Sequence, residues 1–497
     1  MWKWQDAFLE AIKSLLTNTF QILELPIAFK VLAIKVPVTA KEDTCIEPIT
    51  LIPENCSLNI GDFQQILAIA KHNFDHDPEQ FFFRDSTQLN RIHRDSLYPK
   101  ALRNAVQSIL KQYDSQHQQA SFCSFPIQKK NSWIMVIVQI AQSDFESQYR
   151  LSQQELEYGM RQQRLDRCFL EALLYRILKE SELELQKPLE TRIISLANSE
   201  RVIEDAASSL LKSVELHITN WNSVDLLSFA NAIAAERYEG AASEGRLIIC
   251  ATNHPDIVAK IQLHIPIEIY NYRGIRKLLE ISSNQMALLC DVTTVWGLGI
   301  PLDTYQPSQE NLFEIRFSEH HTWELVHAEN IMLRVRYRQP RLPRARFERR
   351  LFYDYLYLLF QVNQTTANLL IQAVEAAVKQ RHGTMLVITP NAASETKRLI
   401  AQSTAIEPVV ASKEIISHLS SVDGAILLSP EGKIYSFGVI LDGKASKHGN
   451  PSRGARYNSA IRYVDEQKQL QVNCLALIVS EDGYVDLYAT NTNMTNH

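Results

Sequence analysis

Glycine is scarce in this chain of 497 residues, at 15, so few loops can bring the backbone hard against a ligand. Six of the glycines crowd between Gly424 and Gly454, which singles that stretch out. Cysteine is sparse and scattered, at Cys45, Cys56, Cys123, Cys168, Cys250, Cys290 and Cys474. The odd count and the absence of any C-x-x-C pair exclude a disulfide scaffold and read as reduced, mostly buried thiols of a cytoplasmic protein. No apolar run approaches the ~18 residues of a membrane-spanning helix. The longest, Trp133–Val138 and Cys474–Val479, have strand length. Neither sign of charge dominates: 51 Lys+Arg against 56 Asp+Glu leave a net charge of −5. No nucleic-acid partner is expected unless a local patch supplies one. There is no P-loop, no G-x-S-x-G, no H-E-x-x-H and no repeat of fixed period.

What is present is an ordinary globular composition, 45% hydrophobic and 22% charged, on a length that suits about two to four domains. The N-terminus is no secretory signal, because Asp6 and Glu10 interrupt it. Trp4, Phe8, Ile12, Leu15 and Leu16 recur as on an amphipathic helix that packs on its own protein, a membrane surface or partner being the alternative. A module over residues 1–150 mixes helix and strand. Ala101–Tyr113 after Pro99 has helical spacing, Ser115–Ser121 reads as a loop and Ser132–Gln142 as a buried strand. Residues 151–240 read as helical. Ser152 and Glu155 form a capping box ahead of a long periodic segment ending before Pro188, and Ser199–Arg237 continues the pattern. Residues 245–338 read as α+β, with strands at Leu247–Ala251, Gln262–Tyr270, Met286–Cys290, Leu312–Phe317 and Ile331–Tyr337 around a helix at Arg273–Ile281.

The segment from Arg334 to Arg350 holds eight arginines and two prolines. It reads as a solvated linker, with a phosphate- or nucleic-acid-binding arm and an ion-pair network as alternatives. Beyond it, residues 345–492 alternate helix and strand as an α/β layered domain. A helical stretch Phe347–Gln380 leads to a buried strand at Met385–Thr389. Short helices follow at Glu395–Ser403 and Lys413–Leu419. Ala425–Leu428 pairs with Lys433–Leu441, a helix opens after Arg453-Gly454, and Cys474–Ser480 with Tyr484–Tyr488 forms a hairpin.

Three steps in this domain can carry chemistry. Gly454-Ala455 at a helix start exposes backbone N–H groups suited to phosphate, and Arg453 and Arg456 can add bidentate contacts. Asp423, followed by Gly424, is placed to hold a divalent cation or orient a hydroxyl nucleophile. The loop after Asp442 adds Lys444, Lys447 and His448, and otherwise reads as a flexible polar loop. Elsewhere, His72 and His76 stand i, i+4 beside Asp75 and Asp77 but read as a solvated helix end. His320-His321 reads as surface and His254 as a turn.

Taken in order, Gly383-Thr384-Met385-Leu386-Val387-Ile388, Asp423-Gly424-Ala425-Ile426, Gly454-Ala455-Arg456 with Ser459-Ala460 and Arg462, and Val479-Ser480-Glu481 resemble the diadenylate cyclase domain. This is the catalytic domain of the bacterial DNA-integrity-scanning and membrane-linked cyclases that make cyclic di-AMP. The resemblance covers residues 345–490. It implies a twisted mixed sheet flanked by helices, preceded by α+β and helical sensor modules. It also implies a cytoplasmic enzyme with ATP as substrate, Mg²⁺ or Mn²⁺ as cofactor, and a homo-oligomer with facing catalytic domains. Carried onto this sequence, Asp423 serves the metal and the 3′-hydroxyl. Gly424 and Ala425 let ribose and base approach, Gly454, Ala455 and Arg456 hold the phosphates, and Tyr457, Asn458 and Ser459 complete the nucleotide-binding stretch. Glu481 is a further carboxylate near the nucleotide. The chain departs from the family's Gly-Thr-Arg-His-Arg motif at Ala455, Tyr457 and Asn458. Loss of such phosphate ligands costs rate, so the alternative is a degenerate domain that binds nucleotide without turnover.

Overall fold

The computed structural model describes residues 5–38, 48–81, 87–153, 155–158, 161–188, 194–219, 224–236, 245–282, 286–343, 347, 349–378, 383–443, 454–479 and 485–490. The chain divides into two compact units, Met1–Pro343 and Arg344–His497.

The first unit opens with α1 (Gln5–Ile22), whose Phe8, Ile12, Leu16 and Phe20 are buried, so this apolar stripe packs on its own protein. A five-stranded sheet follows, built from β1 (Phe29–Pro37), β2 (Thr50–Ile52), β3 (Gln119–Cys123), β4 (Ile127–Lys129) and β5 (Ser132–Ala141), with α2 (Ile66–Asp75) and α3 (Thr87–His117) inserted between β2 and β3. The order is β2-β1-β5-β3, and β4 also pairs with β5. Side chains alternate along β1: Val31 and Ala33 join the core shared with α1, while Leu32, Ile34 and Val36 face Ile66, Leu102 and Val106 of α2 and α3. Pro99 lies inside α3, and that helix runs through to His117, so residues 115–117 are helical rather than loop.

After α4 (Gln142–Glu146), the capping box at Ser152 does not open a helix. The described residues there form a hairpin, β6 (Glu155–Tyr158) and β7 (Arg161–Arg164), and helix begins at α5 (Phe169–Gln186). The backbone N–H groups of Ser152 and Gln153 are taken by the Glu310 carboxylate instead. Four glutamates of α5 are buried, each bonded: Glu171 to Arg167, Glu180 to Arg176 and Ala197 N, Glu182 to Phe125 N, and Glu184 to Lys187. These carboxylates pin the neighbouring loops.

Two helices, α6 (Ser199–Ile218) and α7 (Leu226–Ala235), precede an eight-stranded sheet. Its strands are β8 (Gly245–Cys250), β9 (Ile257–Glu268), β10 (Ala287–Cys290), β11 (Thr294–Pro301), β12 (Leu312–Glu319), β13 (Thr322–His327), β14 (Asn330–Arg336) and β15 (Gln339–Arg341), with α8 (Tyr272–Leu279) after β9. The order is β15-β14-β13-β12-β8-β10-β11-β9. The arginine-rich segment therefore starts inside this sheet. Arg334 is buried and donates to Glu324 at 2.7 Å, and Arg336 lies in β14, so the linker reading fails for its first half.

In the second unit the long helical stretch is two helices, α9 (Arg349–Phe360) and α10 (Gln364–Val378). Then come β16 (Thr384–Ile388), α11 (Ala392–Arg398), β17 (Thr404–Val410), α12 (Lys413–Leu419), β18 (Ala425–Leu428), β19 (Lys433–Val439), α13 (Ala455–Gln469), β20 (Leu475–Val479) and β21 (Val485–Ala489). The mixed sheet has the order β17-β19-β18-β16-β20-β21, with β16 parallel to β18 and antiparallel to β20. Leu386 and Ile388 point toward Leu356, Leu370 and Ile416 of α9, α10 and α12. Met385 and Val387 point toward Tyr463 and Val464 of α13. Helices thus cover both faces, the twisted mixed sheet flanked by helices that the resemblance implies.

Candidate functional site

One end of this sheet gathers the residues singled out above. The ladder sets Met385 against Ala425 and Thr384 against Val479, and Ala425 against Val439. The starts of β16 and β18 therefore lie level with the ends of β19 and β20. Asp423 and Gly424 enter at this edge. Gly424 has φ +111°, and a Cβ there would stand 2.6 Å from the Gly438 carbonyl carbon, so only glycine fits the crossing of the two strands. Thr384 is buried at the same level, with its hydroxyl unpartnered among the described residues.

The second half of the site comes from α13. Gly454 is its N-cap, with extended backbone and no side-chain cap, and a Cβ added there would meet nothing within 4 Å. Among the described residues the helix start is open, as an anion site requires. One turn in, Arg456 reaches back to Asp423. Its Nη2 donates to Oδ1 at 2.9 Å and its Nε to the same oxygen at 3.2 Å. The Arg456 guanidinium holds the Asp423 carboxyl below its usual range, with the Gly424 N–H adding to the effect. The Asp423 side chain remains 86% exposed.

Two other positions of the motif bond back to their own helix. Asn458 Nδ2 donates to Gly454 O at 3.2 Å, and Ser459 Oγ to Ala455 O at 2.9 Å. Tyr457 packs with Tyr488 against the α13 face of the core. Glu481, Arg453 and the loop residues Lys444, Lys447 and His448 lie outside the described residues. Val422 and Ile440 expose aliphatic surface at this sheet end.

A network that sequence reasoning missed anchors α13. Buried Glu395 of α11 accepts from Tyr463 Oη at 2.8 Å and from Arg398 Nη2 at 2.7 Å. Arg398 also grips Asp442 with two bonds of 2.6 and 2.8 Å, so Glu395 joins α11 to α13 and Arg398 joins both to the loop. The paired hydrogen bonds of Arg398 depress the Asp442 carboxyl. Gly443, next in line, lies so close to α13 that a Cβ would stand 2.8 Å from the Arg462 carbonyl. The only sequence signal was the Glu395/Arg398 spacing on one short helix.

Of the remaining candidates, His72 and His76 stack at 4.3 Å, and His76 bonds to the backbone of its own helix. No group of three metal-capable side chains occurs among the described residues. His254 lies in a turn, as expected, buried and bonded to Asn311 at 2.8 Å. No described helix is long and apolar enough to cross a membrane.

These observations define an α/β domain: a mixed sheet covered by helices, with the Asp423 carboxylate and the start of α13 meeting at one end. Comparison with known families makes this specific. Residues 371–492 match the family "DisA bacterial checkpoint controller nucleotide-binding" (DAC), residues 1–211 match "Probable sensor domain DACNG", and residues 224–329 match "Probable sensor domain DACNH". The chain is thus a DAC-domain protein with an N-terminal sensor region. Among solved structures it is similar to a double mutant of DacA from Staphylococcus aureus, at 19% identity and TM-score 0.22, over 26% of this chain and 91% of that one. It is also similar to a hypothetical membrane-spanning protein from Bacillus cereus, at 20% identity and TM-score 0.23, over 28% and 70%. No curated protein matches.

Proposed function

We propose that the C-terminal domain condenses two ATP molecules into cyclic di-AMP under control of the N-terminal sensor region. The observation that carries this reading is the meeting of Asp423 and Arg456, 33 residues apart in sequence, at an open helix start. Arg456 and the first-turn N–H groups of α13 take the triphosphate. Asp423, released from Arg456 as the phosphates arrive, orients the 3′-hydroxyl. Each 3′-oxygen attacks the α-phosphorus of the other ATP, a phosphoester bond forms and pyrophosphate leaves. Two such transfers close the ring. Val422 and Ile440 offer apolar surface to a base.

One exposed carboxylate suits Mg²⁺ or Mn²⁺, because Mg²⁺ binds through one or two carboxylates together with substrate phosphates. Asp423 would hold such an ion, which supplies neutralisation of phosphate charge. A single domain offers a place for one ATP, so the reading requires two chains with facing domains. Supporting it are the DAC family match and the two sensor-domain matches ahead of it.

A second reading, nucleotide binding without turnover, is favoured by the departures at Ala455, Tyr457 and Asn458, with Asn458 bonded to its own helix at Gly454 O. Incubating the purified chain with ATP and Mg²⁺ or Mn²⁺ and chromatographing the products separates the two. Cyclic di-AMP, with specific activity rising with protein concentration as dimer forms, supports the enzyme. Bound but unchanged ATP supports the binder.

A further inference from the structure

Strand β9 has a pattern its own unit uses only in part. From Ala259 on, IVAKIQLHIPIE alternates: Ala259, Ile261, Leu263, Ile265 and Ile267 are aliphatic, while Lys260, Gln262, His264, Pro266 and Glu268 lie between them. Such strict alternation marks a strand with one buried face. Here that face is only partly covered: Leu263 and Ile267 pack against the unit's own core, while Ile261 is 45% and Ile265 79% exposed. β9 also ends the eight-stranded sheet, with no strand on its outer edge among the described residues. On its inner edge the ladder to β11 passes from Ile267↔Val295 to Gln262↔Gly297, so residues 263–266 fall outside regular pairing. Long edges with exposed aliphatics are normally blunted, because they recruit other strands.

We propose that β9 pairs antiparallel with β9 of a second copy of this chain, joining two sensor regions into one continuous sheet. The strand is self-complementary. With the two-fold axis at His264, Lys260 stands opposite Glu268 of the second copy, and the reverse pair repeats the contact. In the same register Ile261 meets Ile267 and Leu263 meets Ile265, so these four aliphatic side chains of each strand lie on one shared face, and Gln262 meets Pro266, a pair one N–H donor short. A one-residue slip would set aliphatic against polar positions and Lys260 against Ile267. An unrelated strand would have to match both the charges and the alternation, whereas a second copy does so by symmetry.

Two measurements on the full-length chain test this, and neither involves nucleotide, so failure of the cyclase reading would leave them standing. His264→Cys places two thiols opposite each other at the axis, where facing Cα atoms are about 4.5–5.5 Å apart, within disulfide reach. Gln262→Cys leaves its two thiols about 13 Å apart along the strand. Under mild oxidation the first variant should give a covalent dimer. The second, and the wild type with its mostly buried described cysteines, should not. In sedimentation, Ile265→Lys should raise the dimer dissociation constant about tenfold or more. Lys260→Glu and Glu268→Lys should each weaken the dimer, and the double exchange should restore it. No cross-link at position 264, cross-linking at 262 equal to that at 264, or a dimer indifferent to Ile265→Lys would overturn the proposal.

Discussion

Replacing Asp423 by asparagine should strengthen metal-free nucleotide binding while abolishing turnover. In the free protein the Arg456 guanidinium spends two hydrogen bonds on one Asp423 oxygen, at 2.9 and 3.2 Å. The pair is largely exposed, 34% and 86% for the two side chains, so it stabilises the free state by only about 0.2–1 kcal/mol. Arg456 must leave it to hold phosphate, and the carboxylate also repels the triphosphate. Removing the charge should therefore improve metal-free affinity by about 1 kcal/mol, or roughly fivefold. The amide is nearly isosteric at an exposed turn, so the fold should persist. Titration calorimetry with a non-hydrolysable ATP analogue, in chelator and then in Mg²⁺, reads both arms. The gain should shrink in high salt, as screening removes the competing pair. It should also vanish with Mg²⁺, where the lost carboxylate is missed. The sign with pH follows from the depressed Asp423 carboxyl. The pair's stabilisation is present above the ordinary carboxylate range and is lost as pH falls through the depressed value, so the two proteins converge only in strong acid. Equal or weaker metal-free binding by the variant at low salt would remove Arg456 from phosphate recognition.

Arg456→Ala should weaken binding of the same analogue by about 2 kcal/mol, the scale of a charge-assisted contact; unchanged affinity would move that role to other cations. Gly424→Ala should lower the melting point of the second unit through a loss of about 1–3 kcal/mol, since its backbone at φ +111° and the Gly438 backbone leave no room for a methyl. Arg398→Ala should destabilise the same unit by about 1–3 kcal/mol, because buried Glu395 loses its cation, while Arg398→Lys should recover only part of the loss without the two-pronged grip on Asp442. In the first unit, burial pushes His327 down to about 4, between the hydroxyls of Tyr149 and Tyr305. The unfolded chain then takes up its proton first, so His327 costs stability progressively as pH falls from about 6.5 to about 4, by up to about 3 kcal/mol. Glu215, raised to about 7 by burial, acts in the opposite sense, so the measurement is the difference in acid melting between wild type and His327→Gln, and parallel curves would exclude the effect.

The buried strands were legible because they are unbroken apolar runs: Met385–Ile388 and Leu475–Val479 announce themselves. β17 was not, because Glu407-Pro408 interrupts it and it sits at an exposed edge. The hairpin over residues 155–164 was hidden by glutamine- and glutamate-rich sequence that suits a helix equally well, and by a Ser152/Glu155 spacing that mimics a cap. The buried state of Arg334 could not be foreseen, since its partner Glu324 lies across a strand pair. Asp423 and Arg456 stood out only in combination with the motifs around them. The Glu395–Arg398–Asp442–Tyr463 network left no trace beyond the Glu395/Arg398 spacing, because its other partners are 44 and 68 residues apart and follow no spacing rule.

The two sensor-domain matches meet between residues 211 and 224, yet one continuous core runs through both. Phe8 and Leu16 of α1, Leu173 of α5 and Leu210 of α6 share it with Phe313, Trp323 and Leu333 of the eight-stranded sheet. A chimera that borrowed only one of these modules would cut through packed side chains and leave apolar surface on both fragments. The transplantable piece, and the piece that must melt as a whole, is the pair.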